Sequence, residues 1–90
     1  MVGRKRERPV AAGVSYRGIA YSLDLVRCRR ALVLRQVEGE LESIHGLAAA
    51  IGRSRSTVNR FFSGRPTSLA VTLNILAALH LSFEEVATPD

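Results

Sequence analysis

Ser43–Gly64, SIHGLAAAIGRSRSTVNRFFSG, is the stretch that decides how this 90-residue chain is read. Ser43 has the chemistry of a helix N-cap, because its hydroxyl can accept a backbone N–H that the first turn leaves free. Ile44, Leu47, Ala48 and Ile51 then supply an apolar face, and Gly52 stops this short helix. Ser54 or Ser56 caps the next helix, in which Val58, Phe61 and Phe62 have core spacing, and Gly64 with Pro66 ends it. Ala48 is small where the two helices must approach most closely. Gly52 permits a turn with positive φ, which a side chain would oppose. Val58 packs back between the helices, over Leu47 and Ile51, and holds their angle. The pattern predicts a helix-turn-helix.

The second helix, Arg55 to Phe62, then presents Arg55, Ser56, Asn59 and Arg60 outward. A convex helix with exposed N-terminal residues fits the major groove of B-DNA. Arginine can make two hydrogen bonds to guanine, and asparagine two to adenine. A scaffolding helix would more often carry glutamate and lysine pairs there.

Charge supports the same partner. The chain has a net charge of +5 that is unevenly spread. Arg53, Arg55, Arg60 and Arg65 fall in the stretch from Ser43 to Arg65, which contains no acidic residue. From Pro66 onward there is no lysine or arginine, whereas Glu84, Glu85 and Asp90 are acidic. A single arginine is ordinarily a solvated surface residue. A concentrated, unopposed group fits a polyanion.

Outside the central motif the signals weaken. Residues 1–16 read as a basic arm, with Arg4, Lys5, Arg6 and Arg8 followed by Pro9, Gly13 and small residues. Such an arm can follow a DNA groove, and termini are also often without fixed structure. Residues 17–90 read as the DNA-binding domain. A helix is expected from about Gly18 to Glu38, with Leu23, Val26, Ala31, Leu34 and Val37 on its apolar stripe and Gly39 at its end. Tyr16 to Tyr21 has a short strand as its alternative. A further helix from about Ser68 to Leu79 places Leu69, Leu73, Leu76 and Leu79 inward, and Ser82 caps a last turn from Phe83 to Ala87. The fold class expected is all-α: a compact bundle of about five short helices with a basic N-terminal arm.

Two blocks resemble the lambda-repressor-like helix-turn-helix family, which includes phage repressors, Cro proteins and small bacterial regulators. LAAAIGRSRSTVNRFFSG looks like that family's helix-turn-helix, and SRSTVNR is also similar to lac-repressor-type reading helices. PTSLAVTLNILAALHLSFEEV looks like its following helices. The resemblance covers Ser43 to Val86, about half the chain. It implies a five-helix domain that binds operator-like duplex DNA, commonly as a homodimer, and regulates transcription by occupancy. By position, Arg55, Ser56 and Arg60 would read bases, with Asn59 a further candidate. Ser43, Ser54 and Thr57 would position phosphates, assisted by Arg65. Val71, Ile75, Phe83 and Val86 are where a dimer contact would be sought, or else they finish the core.

The sequence departs from the family in several places. Ile44 stands where glutamine often binds phosphate, which leaves His45 to take part. Arg53 replaces the usual aliphatic residue after the turn glycine and would lie on the DNA backbone. His80 replaces the glycine that ends the fourth helix. Glu38, Glu40 and Glu42 lie in a lengthened connection and would repel phosphate.

Other functions are less favoured. His45 and His80 have no carboxylate or cysteine at ligand spacing, and no phosphate-binding glycine loop is present, so neither an enzyme, a metal site nor a cofactor is expected. Cys28 is the sole cysteine, which excludes an intramolecular disulfide and suits a reduced cytoplasmic compartment. No apolar run reaches the roughly 18 residues that a membrane span needs, and no secretory signal follows the charged start. The rival reading is a protein-binding antitoxin or phage-encoded inhibitor on a helix-turn-helix framework. Another is a recombination accessory factor that binds and bends DNA.

Overall fold

The structure is a computed structural model that describes residues 9–90. It corrects the all-α expectation: five helices are joined by a three-stranded antiparallel sheet of order β1-β2-β3. Strands β1 (Ala11–Tyr16) and β2 (Ile19–Asp24) form a hairpin, and β3 (Ala87–Pro89) pairs with the other edge of β2. The second half of the expected arm and the start of the expected first helix are therefore strand. Arg17 and Gly18 make the two-residue turn with φ of 54° and 78°. Both are positive, as a hairpin turn whose twist matches its strands requires. Alternation places Ala12, Val14 and Leu23 in the core while Ala11, Gly13 and Ser15 face solvent.

Helix α1 spans Leu25–Val37, with Asp24 as N-cap accepting from the Arg27 N–H at 3.1 Å. Its buried residues are Leu25, Cys28, Leu32 and Arg35. The expected stripe is thus out of phase, and Val26, Leu34 and Val37 are exposed. Two apolar stripes compete on this helix. The hairpin and the end of the chain cover only the one containing Leu25. Burial, with the nearby Asp24 carboxylate, pushes the Cys28 thiol up to about 11, which suits a packed residue.

Arg35 is almost fully buried at the end of α1. Its guanidinium reaches Glu38 at 2.7 Å and Glu40 at 3.5 Å, and donates to His80 Nδ1. These bonds tie α1 to the connection that follows it and to the end of α4 (Leu69–Ala78). His80 adopts a φ of 61° there, the conformation that glycine would supply more cheaply.

The remaining helices are α2 (Ile44–Ile51), α3 (Arg55–Phe62) and α5 (Phe83–Val86). Serines cap these three and α4: Ser43, Ser54, Ser68 and Ser82. At α5 the cap is reciprocal, since Ser82 N–H donates to the Glu85 carboxylate at 2.7 Å. That bond, with the Ser82 side chain, holds the Glu85 carboxyl below its ordinary range.

Val71, Ile75 and Val86 lie in the core, so they are not available as a dimer contact. Phe83 is half-buried and packs edge-to-face against Tyr16 and Tyr21, with ring centroids 5.5 and 5.1 Å apart. Leu73, expected inward, is 41% exposed, and Thr72 is buried in its place. Thr72 can take that position because its hydroxyl is 2.9 Å from that of Thr67.

Candidate nucleic-acid interface

The corner between α2 and α3 follows from its caps and its small residues. Gly52 closes α2 with φ of 69°, and its N–H donates to the Ala49 carbonyl at 3.2 Å. Arg53 N–H donates to the Ala48 carbonyl at 3.0 Å, which completes the turn. Leu47, Ala48, Val58 and Phe61 are buried beneath it. Val58 and Phe61 are three apart on α3 and fix which side of that helix faces inward.

The opposite side of α3 is polar. Arg55, Ser56, Asn59 and Arg60 are all exposed and line one shallow depression of about 610 Å³ with Ser63 and Arg65. The four residues expected to read bases are thus brought onto one surface. Ser63 is an addition that sequence reading missed, although its position four residues after Asn59 predicts a shared face. Its hydroxyl donates to the Asn59 carbonyl at 2.6 Å. Arg60 is partly committed, since its Nη2 donates to the Pro66 carbonyl at 3.3 Å. No bond of this kind restrains the Arg55 or Asn59 side chain among the described residues.

The expected phosphate contacts are more dispersed. Of them, only Arg65 lines the depression; Ser43, His45, Arg53, Ser54 and Thr57 lie outside it. The Ser43 hydroxyl accepts from the His45 N–H at 3.1 Å. The Ser54 hydroxyl accepts from the Thr57 N–H at 3.2 Å and sits 3.0 Å from the Thr57 hydroxyl. These oxygens cap helices. What remains at those ends for an anion is the free backbone N–H groups, with exposed His45 and Arg53 side chains nearby. Ile44 is half-buried against the core and cannot serve as a polar clamp.

Two supports of this surface carry no signal that sequence reading picked up. Arg29 on α1 donates to the Phe62 carbonyl at 3.0 Å and so satisfies an open carbonyl at the end of α3. Gly64, with φ of 79°, lies so close to the start of the hairpin that a Cβ there would be 3.0 Å from Pro9 Cβ and 3.1 Å from the Ala11 carbonyl oxygen. Gly64→Ala should destabilise the fold by more than the roughly 1–2 kcal/mol of left-handed strain alone. Gly52→Ala, with φ of 69° and open space around it, should incur only that strain. Equal losses in urea denaturation would show that the Pro9 contact is immaterial.

Arg4, Lys5, Arg6 and Arg8 lie outside the described residues. The segment they occupy joins the structure at Pro9, beside Gly64 and hence at the Arg65 end of the polar surface.

Among the described residues no helix is long and apolar enough to cross a membrane. Helix α2, the turn at Gly52 and α3 form a helix-turn-helix unit in a fold that also carries a small antiparallel sheet. No protein-family model, curated protein or solved structure matches the chain.

Proposed function

We propose that this chain binds double-stranded DNA in a sequence-specific way and regulates transcription by occupying its site, as the resembled repressor and Cro-like proteins do. One observation carries the reading: α3 gathers Arg55, Ser56, Asn59 and Arg60 on a single exposed face that contains no carboxylate. Guanidinium and carboxamide groups on a protruding helix match purine edges in the major groove. Their spacing also suits the reach of one helix across a few base pairs. In this reading Arg55 and Asn59 read bases, Arg60 and Arg65 divide between base edge and phosphate, and the N-termini of α2 and α3 position the duplex backbone. The protein acts as a homodimer in the cytoplasm, associated with the nucleoid when bound.

Selection of preferred duplexes from a random DNA pool by the full chain tests this proposal. A defined motif, two-fold symmetric if the chain binds as a dimer, is the expected result. Failure to enrich any motif would contradict sequence-specific reading.

The basic segment before Pro9 adds a contribution that does not depend on sequence. Replacing Arg4, Lys5, Arg6 and Arg8 together by glutamine should weaken binding to all duplexes alike. It should also flatten the dependence of log K on log salt by about 0.9 for each phosphate no longer neutralised. An unchanged slope in fluorescence-anisotropy titrations would show that this segment does not touch DNA.

A further inference from the structure

Helix α1 has a second apolar face that no other described residue covers. Val26, Val33, Leu34 and Val37 are 38%, 55%, 49% and 78% exposed. Val26 and Val33 also line an open groove of about 480 Å³ with Val10, Arg29 and Arg30. Scattered surface apolar residues need no explanation, but several on one helix form a patch. Val26, Arg30, Val33 and Val37 recur at intervals of four, three and four, the spacing of a seam between two packed helices.

We propose that this face is where a second copy of the chain docks, α1 against α1, antiparallel about a two-fold axis between residues 31 and 32. In that register Val26 meets Val37 of the second copy, and Arg30 lies across from its Val33. Charge selects this direction. The first half of α1 carries Arg27, Arg29 and Arg30, the helix contains no carboxylate, and Glu38, Glu40 and Glu42 follow its end. An antiparallel pair lays the basic half of one helix beside the acidic exit of the other. A parallel pair would set like charges together. At a rise of about 1.5 Å per residue, Arg27 and Glu38 of the second copy differ in level by only about 3 Å, on the same rim of the seam. Arg27 already pairs with Glu85 at 3.1 Å, and half of its side chain remains open to a second carboxylate.

Charge also argues against another occupant. The chain's own first eight residues carry Arg4, Lys5, Arg6 and Arg8, which would meet Arg29 and Arg30 in the groove. The aliphatic stem of Arg30 can cover the seam while its head reaches water. Two such heads face each other across the axis, so the dimer is weaker than an all-apolar seam would make it.

Sedimentation of the full chain tests the inference independently of any DNA activity. The mass should rise with concentration from 9.8 kDa to twice that value. Val33→Arg, at a position already exposed, sets further guanidinium groups beside Arg30 of the second copy, and should keep the native circular dichroism and sediment as a monomer. Arg30→Leu should dimerise at a concentration at least tenfold lower. Direction is read by oxidative linking: Val26→Cys and Val37→Cys variants should link when mixed and not when alone. Residues 26 of the two copies would lie about 16 Å apart along an antiparallel pair. Cys28, fully buried, stays out of the reaction. A wild-type chain that remains monomeric at several hundred micromolar would overturn the proposal. So would a dimer that Val33→Arg leaves intact, or self-linking of either single cysteine variant without the mixed product.

Discussion

Phe61→Ala is expected to cost about 3–5 kcal/mol of folding stability, the range for removing a buried aromatic side chain. Phe61 is fully buried, packed edge-to-face on Phe62 with centroids 5.1 Å apart, and lies among the largest core side chains. Its position makes the loss structural in a particular way. It stands on α3 three residues after Val58, so the two together attach the polar face of α3 to the rest of the molecule. A domain of this size has on the order of 5–15 kcal/mol in all. Alanine would therefore remove a large share of that total, and urea denaturation should show a large drop in midpoint with little change in slope. A loss below about 1 kcal/mol would mean that α3 is held by something other than this core.

Removing Arg55 and Asn59 together should lower affinity for the selected duplex by about 2–6 kcal/mol, taking 1–3 kcal/mol for each good contact to a base. Both side chains are exposed, so folding stability should change by no more than about 0.5 kcal/mol. Binding to unrelated duplexes, set by phosphate contacts, should fall much less. The variant is thus expected to approach its own non-specific affinity while keeping its fold. Equal losses on selected and unrelated DNA would assign these residues to phosphate instead of base edges. Arg60→Ala should have a smaller effect on specificity, because its guanidinium is already drawn toward the Pro66 carbonyl.

The central motif was legible because its signals are local. Ser43 and Gly52 bound α2, Ser54 and Gly64 bound α3, and each does so through hydrogen bonds spanning only a few residues. Such features need no knowledge of the rest of the chain. The hairpin was not legible as such, because AAGVSY and IAYSLD are rich in small residues with weak strand preference. Its turn is Arg17-Gly18 and lacks the asparagine or aspartate that usually marks one. What makes it a hairpin is remote: Leu25 N–H donates to the Val10 carbonyl at 3.0 Å, and β3 arrives from the other end of the chain.

Two helices show a second limit. On α1, Leu25, Cys28 and Leu32 form one stripe and Val26, Val33 and Val37 another, and periodicity cannot choose between them. The choice was further biased by Arg35, which lies on the buried stripe because Glu38, Glu40 and His80 receive its charge. On α4 nearly every position is apolar, so which side faces inward depends on β1 and α2 packing there. That is why Val71 and Ile75 could be considered for a partner and proved to be core. The polar surface of α3 was legible for the converse reason: one side of that helix is apolar, the other polar, and only one phase is physically acceptable.

The most direct test of base reading by α3 is a double-mutant cycle on the selected duplex, pairing Arg55→Ala with replacement of each base pair in turn. One G·C pair should lose its effect on affinity in the variant, with a coupling of about 1–3 kcal/mol confined to that position. Coupling near zero at every base pair, with normal folding, would contradict the claim that α3 reads the major groove.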